Sequence, residues 1–301
     1  MSRRGWLAIA LLVVWAAALG WHVKRLYVRP SLDLLAEAAR TIPPGAAYYA
    51  VFRGESRVGW AQNEVDTLPG ASGFVVRDRL ILREPLLPEA EPLRMEVEAR
   101  LGPTLSLRAF ELEGEGLPGL ERVGGEVHGD TLLELEIGGE APVRSSMRLE
   151  GPIYLAGVWP LRLAAESRIE PGDQFRLPIF DPVSASSTTI TFTVLAAERK
   201  SYPDSVAAVD GAWVIAREDT VQAWWIEQEI AGIRLRSWID EDGRLLSAEA
   251  PGALRLERTA FELALFGDSV PETPTERLEP DRQGTEAKEP EADGPDGDGT
   301  R

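Results

Sequence analysis

The chain opens with an uncharged, nearly all-apolar run and then changes to short alternating segments. The run begins at Gly5, ends at Val23, is nineteen residues long and contains no formally charged side chain. At about 1.5 Å per residue, a helix of this length approaches the roughly 30 Å hydrocarbon core of a bilayer. Trp6 and Trp21 lie near its two ends, where indole rings favour the headgroup layer. The pattern predicts an N-terminal membrane anchor over residues 1–29.

A second interpretation of the same run stays open. Residues 2–4 also fit the basic part of a secretory signal peptide, with Ala16 and Ala18 as a small-residue cleavage site. The apolar run continues past Ala18 and basic residues follow it at once, which favours an uncleaved signal-anchor. A short N-terminal segment before one apolar helix is typical of single-pass proteins that deliver their C-terminal bulk across the membrane. We therefore expect the bulk of this chain outside the cytoplasm.

Residues 30–45 form a transition to a different pattern. Residues 31–40 place leucine and alanine on one face and contain neither glycine nor proline, which predicts a short amphipathic helix followed by a linker. Residues 46–266 instead show short β-branched or apolar runs separated by Gly, Pro and Asp. Leu133, Leu135 and Ile137 alternate with acidic residues, so that strand has one buried and one wet face. The sequence predicts a mainly β domain, a curved antiparallel sheet or unclosed barrel with few short helices.

The alternation predicts individual strands. A glycine-containing connection at residues 54–56 joins the first two, and Asp240 to Gly243 is the clearest later hairpin turn, because glycine accepts the positive φ of such turns. A short helix is expected over 161–166. Two β halves, 46–150 and 151–266, and one continuous sheet both fit this pattern. The predicted strands are 48–53, 57–65, 73–82, 93–101, 104–112, 120–127, 131–137, 142–149, 174–180, 188–198, 205–209, 212–217, 221–229, 233–239, 244–248 and 253–259.

Composition changes again at Gly267. Residues 267–301 contain eleven acidic and four basic side chains, several Pro and Gly, and no aromatic residue. Such a segment cannot bury enough apolar area to offset the entropy lost on ordering. We expect a disordered acidic tail.

Charge and residue usage exclude several function classes. The formal net charge is −17, so the chain lacks the basic surface that nucleic-acid binding requires. The chain has no cysteine and two histidines, His22 and His128, which leaves almost no material for thiolate chemistry, a zinc site or a Ser-His-Asp triad. No phosphate loop or other cofactor motif is present. We expect a noncatalytic protein without a cofactor or bound metal.

Tryptophan is the residue type that most suggests a contact surface. Large rings spread over several strands are suited to line an apolar pocket or to meet a partner. The alternative is that they are ordinary core residues. Because neighbouring residues of a strand point to opposite faces, one ring of the adjacent pair at 224–225 is expected at a surface. The candidate contacts are Trp60, Trp159, Trp213, Trp224, Trp225 and Trp238.

Several short motifs in this order carry a family resemblance. They are Tyr49-x-Val51 with Gly54 and Val58-Gly59, then Val158-Trp159-Pro160, Pro171-Gly172-Asp173, Phe180-Asp181-Pro182, Ser237-Trp238-Ile239-Asp240 with Gly243-Arg244-Leu245-Leu246, and Glu257-Arg258-Thr259. Over residues 46–265 the chain resembles an uncharacterised bacterial exported β domain found upstream of transglutaminase-like domains. Those domains are similar to the periplasmic lipoprotein-carrier fold. The nucleophilic cysteine of a transglutaminase-like enzyme is absent from this chain.

The resemblance implies a bacterial inner-membrane protein whose extracytoplasmic domain is an accessory or interaction module. Its partner would be an envelope protein such as a transglutaminase-like enzyme or a transporter. The alternative function is a carrier for a lipid, acyl or other hydrophobic ligand on the concave face of the sheet. An open lumen favours the carrier and a filled interior favours the accessory role.

Overall fold

The computed structural model describes residues 32–266, apart from 86–90, 117–120, 140–141, 167, 210–211, 231 and 251. The predicted anchor and the predicted acidic tail lie outside the described residues. Within these ranges no helix is long and apolar enough to cross a bilayer. The first described element is helix α1 (Leu32–Ala39), where the sequence predicts a helix over 31–40.

The predicted mainly β fold is confirmed: in the described ranges, fifteen strands form one sheet. Nine of them are β1 (Gly45–Arg53), β2 (Ser56–Thr67), β3 (Phe74–Leu82), β4 (Leu93–Leu101), β5 (Leu107–Glu115), β6 (Arg122–His128), β7 (Leu132–Ile137), β8 (Val143–Arg148) and β9 (Tyr154–Leu155). The other six are β10 (Gln174–Asp181), β11 (Ser186–Val209), β12 (Ala212–Ile230), β13 (Ile233–Asp240), β14 (Leu245–Ala250) and β15 (Leu254–Thr259). Short helices are α2 (Trp159–Ala164) and α3 (Phe261–Phe266), with 3₁₀ turns at Pro69–Ala71 and Ala156–Val158.

The sheet is not closed, and one of its edge strands is rolled back against its interior strands. β8 and β9 are its two edges, and β1 pairs with β15 in its middle, so both halves of the domain belong to one sheet. The edge strands are consecutive in the chain, and the backbone N–H of Leu107 donates to the Ile153 carbonyl across 2.8 Å. Neighbouring strands are antiparallel except the pair β9 and β10. The edge strand β9 is therefore brought back against β5, as expected of an unclosed barrel.

A buried connection fills much of the interior of the rolled sheet. The segment that runs from β9 through α2 lies on the concave side of the sheet. The helix residues from Trp159 to Leu163 are all buried. The Trp159 ring stacks on Phe192 of β11 with centroids 4.8 Å apart, and Phe110 meets Phe180 at 5.3 Å from the opposite wall. This helix is needed because a sheet rolled around apolar side chains would otherwise leave a void.

The outer face of the first half is polar, as the alternation predicts. Cross-strand ion pairs join neighbouring strands, with Arg77 Nε 3.0 Å from Glu98 and Arg79 Nη2 3.1 Å from Glu96. Pairs of this kind on an exposed sheet contribute little stability individually. Their main effect is to keep this face soluble while the opposite face carries the core.

The prediction of four separate strands over 188–229 was wrong. Residues 188–198 and 205–209 belong to one strand, β11, and residues 212–217 and 221–229 belong to one strand, β12. Pro203 does not end β11. The register with β12 shifts beside it, and β10 pairs with β11 only as far as Thr193, so the missing N–H of the proline breaks no hydrogen bond to β10.

Beyond the part of β11 that pairs with β10 and the part of β12 that pairs with β13, the two strands pair only with each other. This part, residues 199–209 and 212–222, is named the arm.

Candidate functional site

A cavity of about 280 Å³ lies between the concave face of the sheet and the connection through α2. Its wall is largely apolar and includes Ala61, Leu80, Val97, Leu112, Leu161 and Leu256. The turn after β10 lines it as well, and Val183 in that turn is 41% exposed, which places the turn at the rim. The interior is therefore neither fully packed nor an open lumen.

The turn at the rim is fixed by its own aspartate. Asp181 accepts a hydrogen bond from the Val183 N–H at 3.0 Å and from the Ser184 hydroxyl at 2.7 Å. Asp181 and Pro182 both line the cavity. The side chain that holds the turn thus also shapes the rim.

Two polar side chains stand among the apolar residues of the wall. Asn63 of β2 and Asp78 of β3 are direct partners in the sheet register, and Asn63 Nδ2 donates to Asp78 Oδ1 across 2.7 Å. Asp78 takes an inward position of β3, between the inward residues Val76 and Leu80. The alternation of the strand predicts an apolar residue at this position. A carboxylate at such a position has no role in packing, so it is a candidate for ligand recognition.

Burial perturbs the Asp78 carboxyl strongly. Loss of solvent raises the pKa of Asp78 to about 6, and the hydrogen bond from Asn63 opposes this rise. Part of the Asp78 surface remains accessible, and the residue lines the cavity. A Cβ on Gly157 would lie 2.5 Å from Asp78 Oδ2, so the glycine allows the connection to pass directly over the carboxylate. Near neutral pH the cavity therefore presents an anionic hydrogen-bond acceptor.

Tyr49 supplies a third polar group. Its ring is buried in β1 and lines the cavity, and burial raises the pKa of its hydroxyl. The phenol therefore stays protonated and can both donate and accept a hydrogen bond. Together, Tyr49, Asn63 and Asp78 form a polar patch on three neighbouring strands.

A second buried polar cluster lies at the end of the sheet where β13 turns into β14. Asp240 accepts hydrogen bonds from the backbone N–H groups of Asp242 at 3.0 Å and Arg244 at 2.7 Å, and Arg258 Nη1 lies 2.5 Å from Asp240 Oδ2. The Arg258 guanidinium carbon lies 3.9 Å from the centroid of the Tyr202 ring. Each oxygen of Asp240 is therefore engaged, and this cluster serves as a structural clamp on the predicted Asp240-to-Gly243 turn.

The six tryptophans that the sequence singles out do not form one site. None of them lines the cavity described above. Trp159 is buried against Phe192, Trp60 is half-buried in β2, and Trp213 is half-buried in the arm. Trp224 packs against the core, as the period of the strand requires of one member of the adjacent pair.

The other member of that pair joins an aromatic cluster on the outer face. The rings of Trp225 and Trp238 are cross-strand partners with centroids 5.0 Å apart. The Lys200 ammonium lies 4.2 Å from the centroid of the Trp238 ring, in cation–π geometry. This is where the structure brings two of the predicted contact residues together.

Sequence reasoning missed Asp78, Asn63 and Tyr49, although one signal was available. In the strand predicted over 73–82, every second residue points inward. Four of these inward residues are apolar, and the fifth is Asp78: the apolar ones are Phe74, Val76, Leu80 and Leu82. An ionisable residue inside an apolar set marks a buried charge. Asn63 and Tyr49 carried no comparable signal, because their relevance depends on which strands become neighbours.

Comparison with known proteins leaves the function open. No protein-family model matches this chain, and no curated protein matches it. The structure is similar to a β-barrel-like protein of the domain of unknown function DUF1849 from Brucella abortus, with 14% identity and a TM-score of 0.47, over 72% of this chain and 96% of the other. It is also similar to a DUF1089 family protein from Pseudomonas aeruginosa, with 10% identity and a TM-score of 0.34, over 64% and 89% of the two chains.

Proposed function

We propose that this protein is a noncatalytic, membrane-anchored binding protein that holds a small amphipathic molecule in the cavity of its rolled sheet. The observation that carries the proposal is the Asp78 carboxyl, an ionisable group exposed to a largely apolar cavity of about 280 Å³. That volume is just below the roughly 300–1,000 Å³ typical of small-molecule sites, which suits a small ligand. Buried polar groups that point into such a space are those that orient a ligand.

The polar group of the ligand follows from the chemistry of the patch. An ionised carboxylate only accepts hydrogen bonds, so Asp78 selects a donor such as an ammonium or a hydroxyl group. The Tyr49 hydroxyl is suited to complete the contact with a second hydrogen bond. A ligand with a carboxylate head would place two like charges together in a poorly solvated space. The ligand is therefore a short alkyl amine or alcohol, or a lipid fragment with such a head.

The setting of this activity is also part of the proposal. The apolar run from Gly5 to Val23 anchors the chain in a bacterial inner membrane, with the β domain on the extracytoplasmic side. A transglutaminase-like enzyme or a transporter of the envelope is the class of protein that such a domain would serve.

A second candidate function is that of a protein-interaction module, and the outer-face pair Trp225 and Trp238 favours it. Tryptophan is enriched among the residues that dominate the binding energy of protein interfaces, and the rings of these two tryptophans lie 5.0 Å apart on one face of the sheet. A photo-crosslinking residue at position 225 should give one discrete product with an envelope protein in intact cells. The same residue at position 195, where Leu195 is 40% exposed, is the control. Equal and diffuse products from both positions would contradict this candidate.

The cavity proposal is tested by a series of ligands that differ only in the head group. Octylamine, octanol and octanoate are titrated calorimetrically into the full-length protein in lipid nanodiscs, with empty nanodiscs subtracted. We expect saturable binding of the amine and the alcohol and much weaker binding of the carboxylate. Asp78→Asn should abolish the preference for the amine, and Ala61→Leu, which fills the cavity, should weaken all three.

The matched control is Asp66→Asn, which makes the same chemical change on the outer face, where Asp66 lies 3.0 Å from Arg77. It should leave all three titrations unchanged. Binding that is identical in the wild type, Asp78→Asn and Ala61→Leu proteins would place the ligand elsewhere and overturn the proposal.

A further inference from the structure

We propose that the tip of the arm is a second membrane contact, which docks in the interfacial layer of a zwitterionic bilayer. The inference rests on the anchoring part of the proposed function and is independent of the cavity. It concerns the described residues beside the turn of the arm, 205–209 and 212–216.

Both faces of the arm tip are apolar. Cross-strand partners there are Val206 with Ile215, Ala207 with Val214, and Ala208 with Trp213, so apolar side chains point to either side of the ribbon. The described residues of the tip carry no formal charge, and Ala208 and Ala216 are exposed. A hairpin that packs on a protein, including a second copy of this chain, needs only one apolar face. Two apolar faces fit surroundings that are apolar on both sides of the ribbon.

The arm and the N-terminal segment leave the domain at the same end of the sheet. The pairing of β12 with β13 begins at Ala223, which lies opposite Asp240 at the start of the β13–β14 turn, so the part of β12 before Ala223 extends beyond this end of the sheet. In that turn Arg244 Nη2 donates to the Pro43 carbonyl across 3.1 Å, and Pro43 follows α1 closely. The base of the arm is fixed at this end as well, by the contact of Tyr202 with Arg258.

The segment between the apolar run and α1 is about as long as the arm. From Val23 to Leu32 the chain has nine residue steps, which span at most about 30 Å. The arm extends ten residue steps from Arg199 to Val209, which is at most about 33 Å of strand. If the apolar run spans a bilayer, the arm is therefore long enough to reach the surface of that bilayer.

Charge and residue type set the depth and the lipid. Between Ser205 and Ala216 the sequence carries one formal charge, the carboxylate of Asp210, and a charged side chain opposes deep insertion. The indole of Trp213 favours the headgroup boundary. With a formal net charge of −17, the protein is repelled by anionic lipid, so the contact should be strongest on phosphatidylcholine.

The absence of cysteine makes the test direct, because one cysteine can be added and labelled. Full-length Ala208→Cys, Ala216→Cys and Glu55→Cys proteins carry an environment-sensitive NBD label in phosphatidylcholine vesicles. Ala208 lies near the tip, Ala216 lies nearer the base, and Glu55 is exposed in the β1–β2 turn at the opposite end of the sheet. Nitroxide lipids quench the label at a shallow or a deep position, and flotation with carbonate washing measures anchoring separately.

We expect a blue-shifted emission at position 208 and quenching by the shallow nitroxide, because an interfacial element sits about 5–10 Å below the headgroup boundary. The effect should be smaller at position 216 and absent at position 55. Protein that floats while position 208 behaves like position 55 overturns the arm contact and leaves the anchor intact. A shift that needs raised protein concentration but no lipid also overturns it, in favour of a second copy. If the protein does not float and position 208 stays polar, both the anchor and the arm contact fail.

Discussion

At the scale of single residues, Asp78 is the group whose burial costs the domain stability. Its pKa is raised from 3.8 to about 6, so the folded state holds the proton more tightly than the unfolded state. Asp78 therefore imposes no cost on stability below about pH 4, an increasing cost as pH rises through the window from about 4 to 6, and its full cost above that window. Two pKa units correspond to at most about 3 kcal/mol.

The prediction is that Asp78→Asn stabilises the domain near neutral pH while it removes ligand selectivity. Asparagine keeps the shape and the hydrogen-bonding capacity of the side chain but has no charge to desolvate. We expect the Tm to rise by about 3–6 °C at pH 7.5 and to change little at pH 4, measured by calorimetry on the full-length protein. An equal loss of Tm at both pH values would mean that the carboxylate contributes hydrogen bonds that outweigh its desolvation.

Arg258 is the residue whose loss should unfold the clamp at the β13–β14 turn. The pair with Asp240 is largely buried, with side-chain exposures of 12% and 2%. Arg258→Met would leave a buried carboxylate without its counter-ion, which costs about 3–5 kcal/mol, or roughly 10 °C in Tm for a domain of this size. Adding Asp240→Asn should recover part of the loss in a double-mutant cycle. Additive effects of the two substitutions would show that the pair does not act as a unit.

At the scale of elements, the approach of the β13–β14 turn to α2 depends on one glycine. Gly243 has a φ of +74°, and a Cβ there would lie 2.6 Å from the Leu161 Cα, which is backbone and cannot rotate away. Gly54 offers a matched comparison, because its φ is +59° but nothing lies within 4 Å of its Cβ position. Gly54→Ala should cost about 1–2 kcal/mol for backbone strain alone.

We predict that Gly243→Ala costs at least about 1–3 kcal/mol more than Gly54→Ala, because it adds overpacking to the strain. Chemical denaturation of both variants measures the difference. The same substitution should also displace the cavity wall at Leu161 and so weaken octylamine binding, whereas Gly54→Ala should not. Equal destabilisation by the two variants would indicate that α2 shifts freely relative to the turn.

At the scale of the whole molecule, stability should reside in the domain that ends with α3. Helix α3 packs against β1, with the Tyr48 and Phe261 rings 5.0 Å apart, and the Ala264 carbonyl accepts a hydrogen bond from Arg57. Residues 267–301 follow it and contain eleven acidic and four basic side chains but no aromatic residue.

Deleting residues 267–301 should therefore leave the Tm nearly unchanged, because that segment lacks the apolar area that a packed element needs. A fall of more than about 5 °C, which corresponds to roughly 1–2 kcal/mol here, would contradict this expectation. Deleting from Phe261 onwards is the positive control and should lower the Tm, because it removes the packed helix as well.

Local features of the chain determined most of its elements. The alternation over 93–101 predicted β4 with the bounds that the structure has, and the glycine of the Asp240-to-Gly243 turn takes the left-handed φ that its position requires. These features were readable because a strand face and a tight turn depend on residues two to four positions apart. The continuity of β11 and β12 through the arm was not predicted. Pro203 falls in the gap between the strands predicted over 188–198 and 205–209, and the structure tolerates it there because β10 does not reach that part of β11.

The candidate site was decided by tertiary structure. Asp78 and Asn63 become neighbours through strand register, and Gly157, far along the chain from both, passes over the carboxylate. The sequence by itself determined that this chain folds as a mainly β domain whose strands have one wet and one buried face. Where the rolled sheet leaves space, and which buried charge faces it, depends on contacts between distant segments. No local periodicity encodes such contacts, because packing of the whole interior sets them.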